Sequence, residues 1–157
     1  MTQTLDRPTT EPSTDQAPLL QQTLVELIEL SLQAKQAHWN VVGPTFKPIH
    51  EFLDEMTDQY RGWYDDVAER LAAIGVAPDG RSATVAAARA FDPLPAGSLD
   101  GLKVMALFDE RATAFALHVR ERAGQVGDAD LATQDLLIEI LRGIEKQRWM
   151  LRAHAGM

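Results

Sequence analysis

The chain has 157 residues, of which 45% are hydrophobic and 24% charged, as is typical of one soluble globular domain. Its formal net charge of −8 creates a field that repels DNA and anionic lipid and attracts cations. Because the chain has no cysteine, disulfides and thiolate metal sites are excluded, and His, Asp and Glu remain as metal ligands.

The first 17 residues contain almost nothing that a folded core could bury, and prolines interrupt them at positions 8 and 12. They lack the basic and then apolar layout of a secretory signal, and no run of about 18 apolar residues offers a membrane span. We therefore predict a disordered N-terminal tail over residues 1–17, a folded domain over residues 18–154, no membrane association and a cytoplasmic location.

Apolar residues recur at steps of three and four along four long segments, which predicts four helices. The predicted helices run from Pro18 to the Gly43-Pro44 break, from about Pro48 to Ile74, from Ser98 or Asp100 to Gly124, and onward from Asp130. Residues 75–98 are rich in Gly, Pro and Ala, with one short helical candidate at residues 84–91. No convincing strand is predicted, so the pattern indicates an all-α four-helix bundle with one long crossover between the second and third helices.

Two histidines and the helix that follows them carry the candidate metal ligands. His38 and His50 flank the Gly-Pro break, whereas Asp65 and Glu69 lie one helical turn apart and project from one face. Each residue alone has an ordinary explanation, as a capped or core histidine or as part of a solvated acidic face. Together, two imidazoles and two carboxylates suit a non-haem iron site with open positions.

The spacing of these residues limits where such a site can lie. His50 and Asp65 are separated along one predicted helix by about 22 Å, at 1.5 Å per residue, so they cannot bind one ion within one chain. None of the glutamates has a histidine three residues later, as a di-iron site inside a bundle would need. We therefore expect a site at an interface, where a second subunit supplies half of the ligands.

Five motifs lie along the chain and read KQAHWNVVGP, IHEFLDE, DDVAER, ATQDLL and IEKQRWMLRAH. They resemble motifs of the Dps family of mini-ferritins, the DNA-protecting proteins of starved bacterial cells, and the resemblance covers nearly everything after residue 18. It implies a ferritin-like four-helix bundle that assembles into a hollow homo-dodecamer. It also implies a ferroxidase centre, in which His38 and His50 of one subunit and Asp65 and Glu69 of its two-fold mate bind Fe(II). Hydrogen peroxide would be the preferred oxidant.

The resemblance implies further roles for other residues. Trp39 matches a tryptophan beside the centre that can take up stray oxidising equivalents, with interface packing as the alternative. The residues that match the acidic inner wall, where ferric mineral nucleates, are Glu51, Asp54 and Glu55. The residues at the position of the three-fold iron pores are Asp128, Asp130 and Asp135, and capping of the last helix is the alternative for Asp128 or Asp130.

The sequence thus predicts an iron store and ferroxidase that consumes Fe(II) and hydrogen peroxide together and protects against oxidative damage. The alternative is a DNA-compacting protein of the nucleoid with little iron chemistry, but the acidic tail and the short end RAHAGM disfavour DNA binding at physiological salt. A helical interaction module without metal is a third hypothesis. His118 and His154 match no ligand position and are expected at the surface.

Overall fold

The computed structural model describes residues 14–155. Its helices, in chain order, are α1 (Ala17–Asn40), α2 (Phe46–Ala73), α3 (Ser82–Ala88), α4 (Gly101–Val126) and α5 (Leu131–Ala155). This confirms the predicted all-α four-helix bundle, with α3 as the short helix of the crossover. Residues 1–13 of the predicted tail lie outside the described residues, whereas Thr14–Gln16 form a 3-10 turn that leads into α1. Within residues 14–155, no helix has the length and apolar character that crossing a membrane requires.

The helix ends differ from the prediction by a few residues. Asp100 is the N-cap of α4, since its Oδ1 accepts a hydrogen bond from the Lys103 backbone N–H at 3.1 Å. This helix runs two residues past Gly124 and stops before Gly127, whose φ is +50°. The short helix α3 ends three residues before the predicted Phe91, because Arg89 has a left-handed backbone with φ of 46°.

The prediction of no strand is wrong in one small respect. β1 (Val41–Val42) directly follows α1, and β2 (Leu99–Asp100) directly precedes α4; the two pair in parallel, with Val41 opposite Leu99. Strands of two residues are too short to show alternating hydrophobicity, so the sequence carries no signal for them. The pairing ties the turn between α1 and α2 to the end of the crossover.

The core lies between two helix pairs, with α1 packed along α2 and α4 packed along α5. Each large apolar side chain buried there contributes about 1.5 to 3 kcal/mol relative to an exposed position. Completely buried core residues include Leu20, Leu27, Leu30, Leu53, Met56, Tyr60, Leu71, Met105, Phe108, Phe115, Val119, Leu137, Ile140, Ile144 and Leu151. These residues repeat at helical spacing, as the sequence pattern predicts.

Inside the hydrophobic core, a cluster of charged side chains joins α1 to α4. Glu26 on α1 is 7% exposed and accepts hydrogen bonds from both terminal nitrogens of Arg122, which is also buried. Thr23 accepts a further bond from Arg122 at 3.1 Å. The His118 Nδ1 lies 2.8 Å from the Glu26 carboxylate, so this histidine is partly packed between α4 and α1 rather than fully exposed at the surface. His154 is exposed as predicted, with its ring parallel to Phe52.

Candidate metal centre

His38 and His50 are held together by two reciprocal hydrogen bonds between α1 and α2. The His38 Nδ1 lies 2.8 Å from the backbone carbonyl oxygen of His50, and the His50 Nδ1 lies 2.8 Å from that of His38. The two rings stack, with centroids 3.7 Å apart and planes inclined by 20°. A carbonyl oxygen can only accept, so each Nδ1 carries the hydrogen and donates it.

These bonds fix the tautomer of both rings, which has a direct chemical consequence. A neutral imidazole protonated at Nδ1 has its free lone pair at Nε2, and this is how metal-binding histidines are usually oriented. We call His38 and His50 the histidine pair. His38 is 9% exposed and His50 is half-buried, so the pair lies at the edge of the bundle, where a cation could reach it.

The local sequence explains why the two histidines meet. Gly43 has a φ of +117°, which glycine adopts readily, and it turns the chain so that α2 runs back along α1. The Phe46 N–H closes this turn on the Gly43 carbonyl oxygen at 3.0 Å. The Phe46 ring then packs beside His50, at 4.9 Å between centroids. The last turn of α1 and the first turns of α2 therefore lie side by side.

One helical turn from the histidine pair, Lys35 on α1 forms an ion pair with Asp54 on α2. The hydrogen bond from Lys35 lowers the pKa of Asp54 against the opposing effect of partial burial, and the positive charge of Lys35 lowers this pKa further. The family resemblance predicts a place for Asp54 only in the acidic inner wall. Its position four residues after His50 was the signal that it also lies beside the histidine pair.

Asp65 and Glu69 are exposed on α2 and, within residues 14–155, neither has a hydrogen-bond or ion-pair partner. Glu69 also lines a surface cleft of about 480 Å³ between α2 and α5, together with Asp66 and Asp135. In the described part of one protomer, no group of three or more His, Asp or Glu side chains could hold a metal ion. One subunit therefore does not bring the four predicted ligands together.

Exposed apolar side chains lie close to the histidine pair along the chain. Trp39 follows His38 and is 67% exposed, and Val42 and Phe46 are exposed by 48% and 43%. The predicted wall residues Glu51 and Glu55 are exposed one to two turns into α2, and Glu51 makes only a solvated ion pair with Lys47 at 3.4 Å.

The three aspartates predicted at the pore differ in their surroundings. Asp128 and Asp135 are exposed at the turn before α5 and in its second turn. Asp130 is buried, and both of its oxygens lie 2.9 Å from Nη2 of Arg70. Asp130 also accepts hydrogen bonds from the backbone N–H and the hydroxyl of Thr133. It therefore caps α5, which is the alternative given for this residue, and both of its oxygens already accept hydrogen bonds.

The capping role leads to a prediction about acid stability. Burial alone would raise the pKa of Asp130, but the hydrogen bonds from Thr133 and Arg70 outweigh burial and lower this pKa. We expect Asp130→Asn to reduce the free energy of unfolding at pH 7 by about 1 to 3 kcal/mol. Because the pKa of Asp130 is lowered in the folded state, the difference in unfolding free energy between wild type and variant has its full size above the ordinary carboxyl pKa of about 3.9. This difference disappears as the pH falls through the lowered pKa.

Urea unfolding measured from pH 7 down to acid conditions checks this prediction, with Asp128→Asn as the matched control. The exposed Asp128 makes no comparable bonds, so its substitution should change stability little at any pH. If the loss of stability in Asp130→Asn stayed constant down to the lowest pH, the ion pair between Asp130 and Arg70 would not be its cause.

Comparison with known proteins identifies the family. The Ferritin-like domain family matches residues 18–157. The chain is 40% identical to DNA protection during starvation protein 2 of Deinococcus radiodurans over 85% of its length, but it spans only 56% of that protein. It is 35% identical to the DNA protection during starvation protein of Mycolicibacterium smegmatis, over 90% of the chain and 78% of that relative.

The structural comparison agrees. The Dps structure of Microbacterium arborescens in its high iron form superposes with a TM-score of 0.88 at 31% identity, covering 96% of this chain and 98% of that one. The chain folds as a ferritin-like bundle, has a histidine pair held by reciprocal hydrogen bonds, and is similar to these relatives in sequence and structure. It therefore belongs to the Dps family of ferritin-like proteins.

Proposed function

We propose that this protein oxidises Fe(II) and stores the ferric product, at sites that two subunits share. The observation that carries the proposal is the histidine pair, because its two reciprocal hydrogen bonds leave both Nε2 lone pairs available to a cation. A relative crystallised in a high iron form supports iron as the cation.

The proposed site is completed by Asp65 and Glu69 of a second subunit. Both carboxylates are exposed and unpaired within the described residues, although like charges one turn apart repel each other. A bound cation would relieve that repulsion. If two copies of α2 pack antiparallel about a two-fold axis, the His50 end of each helix lies against the Asp65 end of the other.

Two surface features support such a contact. Trp39, Val42 and Phe46 lie within four residues of His38 or His50 along the chain and expose apolar side chains, which contact with a partner would remove from water. Gly62 lies between the two ends of the proposed contact, and a Cβ there would meet no other described residue within 4 Å beyond its chain neighbours and its own helix backbone. Its missing side chain would allow the partner helix to approach closely, which could offset the cost of glycine in a helix of about 1 kcal/mol.

The reaction proposed for the site is the oxidation of Fe(II) by hydrogen peroxide. Two Fe(II) ions give up one electron each, and hydrogen peroxide takes both electrons as its O–O bond breaks and two protons convert it to two water molecules. Because hydrogen peroxide receives two electrons, free hydroxyl radical is not released. The Fe(III) ions then move to the exposed carboxylates of Glu51 and Glu55, where hydrolysis starts the mineral. Trp39 donates an electron when only one iron is present.

We further propose that twelve subunits form a hollow shell and that Asp128 and Asp135 line its iron pores, without Asp130. Twelve chains of −8 would carry about −96, a field that attracts Fe(II) and repels DNA. Two relatives are named for DNA protection in starvation. In this protein, such protection would come from the removal of iron and peroxide rather than from covering DNA.

Stopped-flow oxidation of Fe(II) by hydrogen peroxide tests the proposal. We expect His38→Ala and Asp65→Ala each to lower the initial rate by at least about 100-fold, because each removes one ligand from the same site. Asp128→Asn should slow mineral growth without preventing the first oxidation. Equal initial rates in wild type, His38→Ala and Asp65→Ala would remove the proposed site.

A further inference from the structure

A second cleft between α2 and α5, of about 510 Å³, lies next to the cleft that Glu69 lines. Trp63 on α2 and Gly143 on α5 form part of its wall. A Cβ at position 143 would overlap the six-membered ring of Trp63, so the glycine allows the indole to pack directly against α5. We call this the Trp63 cleft.

Two basic side chains of α5 also line the Trp63 cleft. Arg142 and Lys146 are four residues apart, so they lie on one face of the helix, and both are exposed. Within residues 14–155, neither makes an ion pair or a side-chain hydrogen bond. Like charges at this spacing repel each other. The cleft therefore presents two cationic donors that the described part of the subunit leaves without an acceptor.

The other arginines of α5 have a different environment. Arg148 and Arg152 both contact the carboxylate of Asp109 on α4, at 3.6 and 3.0 Å. Among the Lys and Arg side chains of this helix, those without a partner in residues 14–155 are thus the two that line the Trp63 cleft.

We propose that Arg142 and Lys146 bind inorganic phosphate in the Trp63 cleft. Their N–H groups donate charge-assisted hydrogen bonds, and phosphate presents several oxygens that accept them. A bound anion also relieves the repulsion between the two cations. Asp135 and Glu139 line the same cleft and oppose the anion, so phosphate binds weakly when these carboxylates have no cation of their own.

The role of this phosphate in mineral growth rests on the proposed function. Both carboxylate and phosphate oxygens bind Fe(III). A ferric ion held by Asp135 and Glu139 would remove the repulsion that these carboxylates exert on phosphate, and phosphate would in turn strengthen the binding of the ion. The cleft would then hold Fe(III) and phosphate side by side.

The proposed nucleation wall lies along the same side of α2. Glu55, Gln59 and Trp63 follow one another at steps of four residues. Gln59 accepts a hydrogen bond from Nε2 of Gln147 on α5 at 2.6 Å, so this side of α2 faces α5. Phosphate in the Trp63 cleft is therefore close to the carboxylates that start the mineral, and we expect it to enter the first ferric clusters.

Equilibrium dialysis of the full-length, iron-free protein against radiolabelled inorganic phosphate at low ionic strength tests the site directly. We expect Arg142→Gln and Lys146→Gln each to weaken phosphate binding by at least about fivefold, because each removes a charge-assisted hydrogen bond. Glu139→Gln should bind phosphate more tightly than wild type, because it removes a repulsive charge. Arg152→Gln makes the same charge change outside the cleft and should bind as wild type does. Size-exclusion chromatography checks that all variants share one assembly state.

A second measurement follows phosphate into the mineral. Particles loaded with Fe(II) and hydrogen peroxide in phosphate buffer are separated from free phosphate, and their phosphate-to-iron ratio is determined. This ratio should fall in Arg142→Gln and Lys146→Gln and stay at the wild-type value in Arg152→Gln.

The outcomes separate this inference from the function on which its role rests. If iron-free wild type bound no phosphate, or if Arg142→Gln and Lys146→Gln bound it as tightly as Arg152→Gln, the phosphate site would be overturned and the proposed iron oxidation would stand. Because the dialysis contains no iron, phosphate binding with the expected pattern would support the site even if wild type oxidised no Fe(II). In that case only its role in mineral growth would fall.

Discussion

Particles assembled from equal amounts of His38→Ala and Asp65→Ala subunits are expected to recover about a quarter of the wild-type rate of Fe(II) oxidation, although each variant alone is nearly inactive. With random pairing, half of the two-fold interfaces join one subunit of each kind. At such an interface, one site contains both substitutions. The other combines the intact histidine pair of one subunit with the intact carboxylates of its mate, so half of the sites at half of the interfaces are restored.

A second mixture provides the control. His38→Ala and His50→Ala damage the same half of the site, so every site in their mixed particles has lost one histidine and no activity should return. Both mixtures are prepared by co-expression and measured by stopped-flow with hydrogen peroxide. Equal activity in the two mixtures, or none in the first, would contradict a site shared between subunits.

Replacing Arg122 by methionine should cause the largest loss of stability, about 3 kcal/mol or more. The change leaves the Glu26 carboxylate buried, with only the half-exposed His118 as its partner. Arg120→Met is the matched control on the same helix. Arg120 pairs with Glu145 in an exposed position, so we expect its removal to cost less than about 1 kcal/mol.

Urea unfolding at one fixed protein concentration compares these variants, because the proposed assembly would make apparent stability depend on concentration. If Arg122→Met were no less stable than Arg120→Met, the charged cluster between α1 and α4 would not be a major contributor to folding.

Local patterns were enough to predict the helices. The steps of three and four in α1 and α2 are set by burial on one face, and the N-cap at Asp100 is a preference of the residue itself. The two-residue strands could not be predicted in this way. Nor could the contact of Glu26 with His118, whose positions are 92 residues apart, because it depends on how α1 packs against α4.

Some features of the candidate site could likewise be predicted from the sequence, and others could not. Residue types and helical spacing indicated the four ligands and the need for a second subunit, and that arrangement stays a prediction. The reciprocal bonds of the histidine pair depend on the turn at Gly43, so they became visible only in the structure. The contacts of Asp130 with Arg70 and Thr133 show that it caps α5, whereas its role at a pore stays a prediction.

The central claim is that histidines of one subunit and carboxylates of another meet at one ion. A crystal structure of the assembled particle soaked in Zn²⁺ or in anaerobic Fe(II) tests this directly. We expect a metal at about 2.0 to 2.2 Å from Nε2 of His38 and His50 and from carboxylate oxygens of Asp65 and Glu69 across a two-fold axis. Metal bound within one subunit, or these four side chains pointing away from each other in the assembly, would contradict the claim.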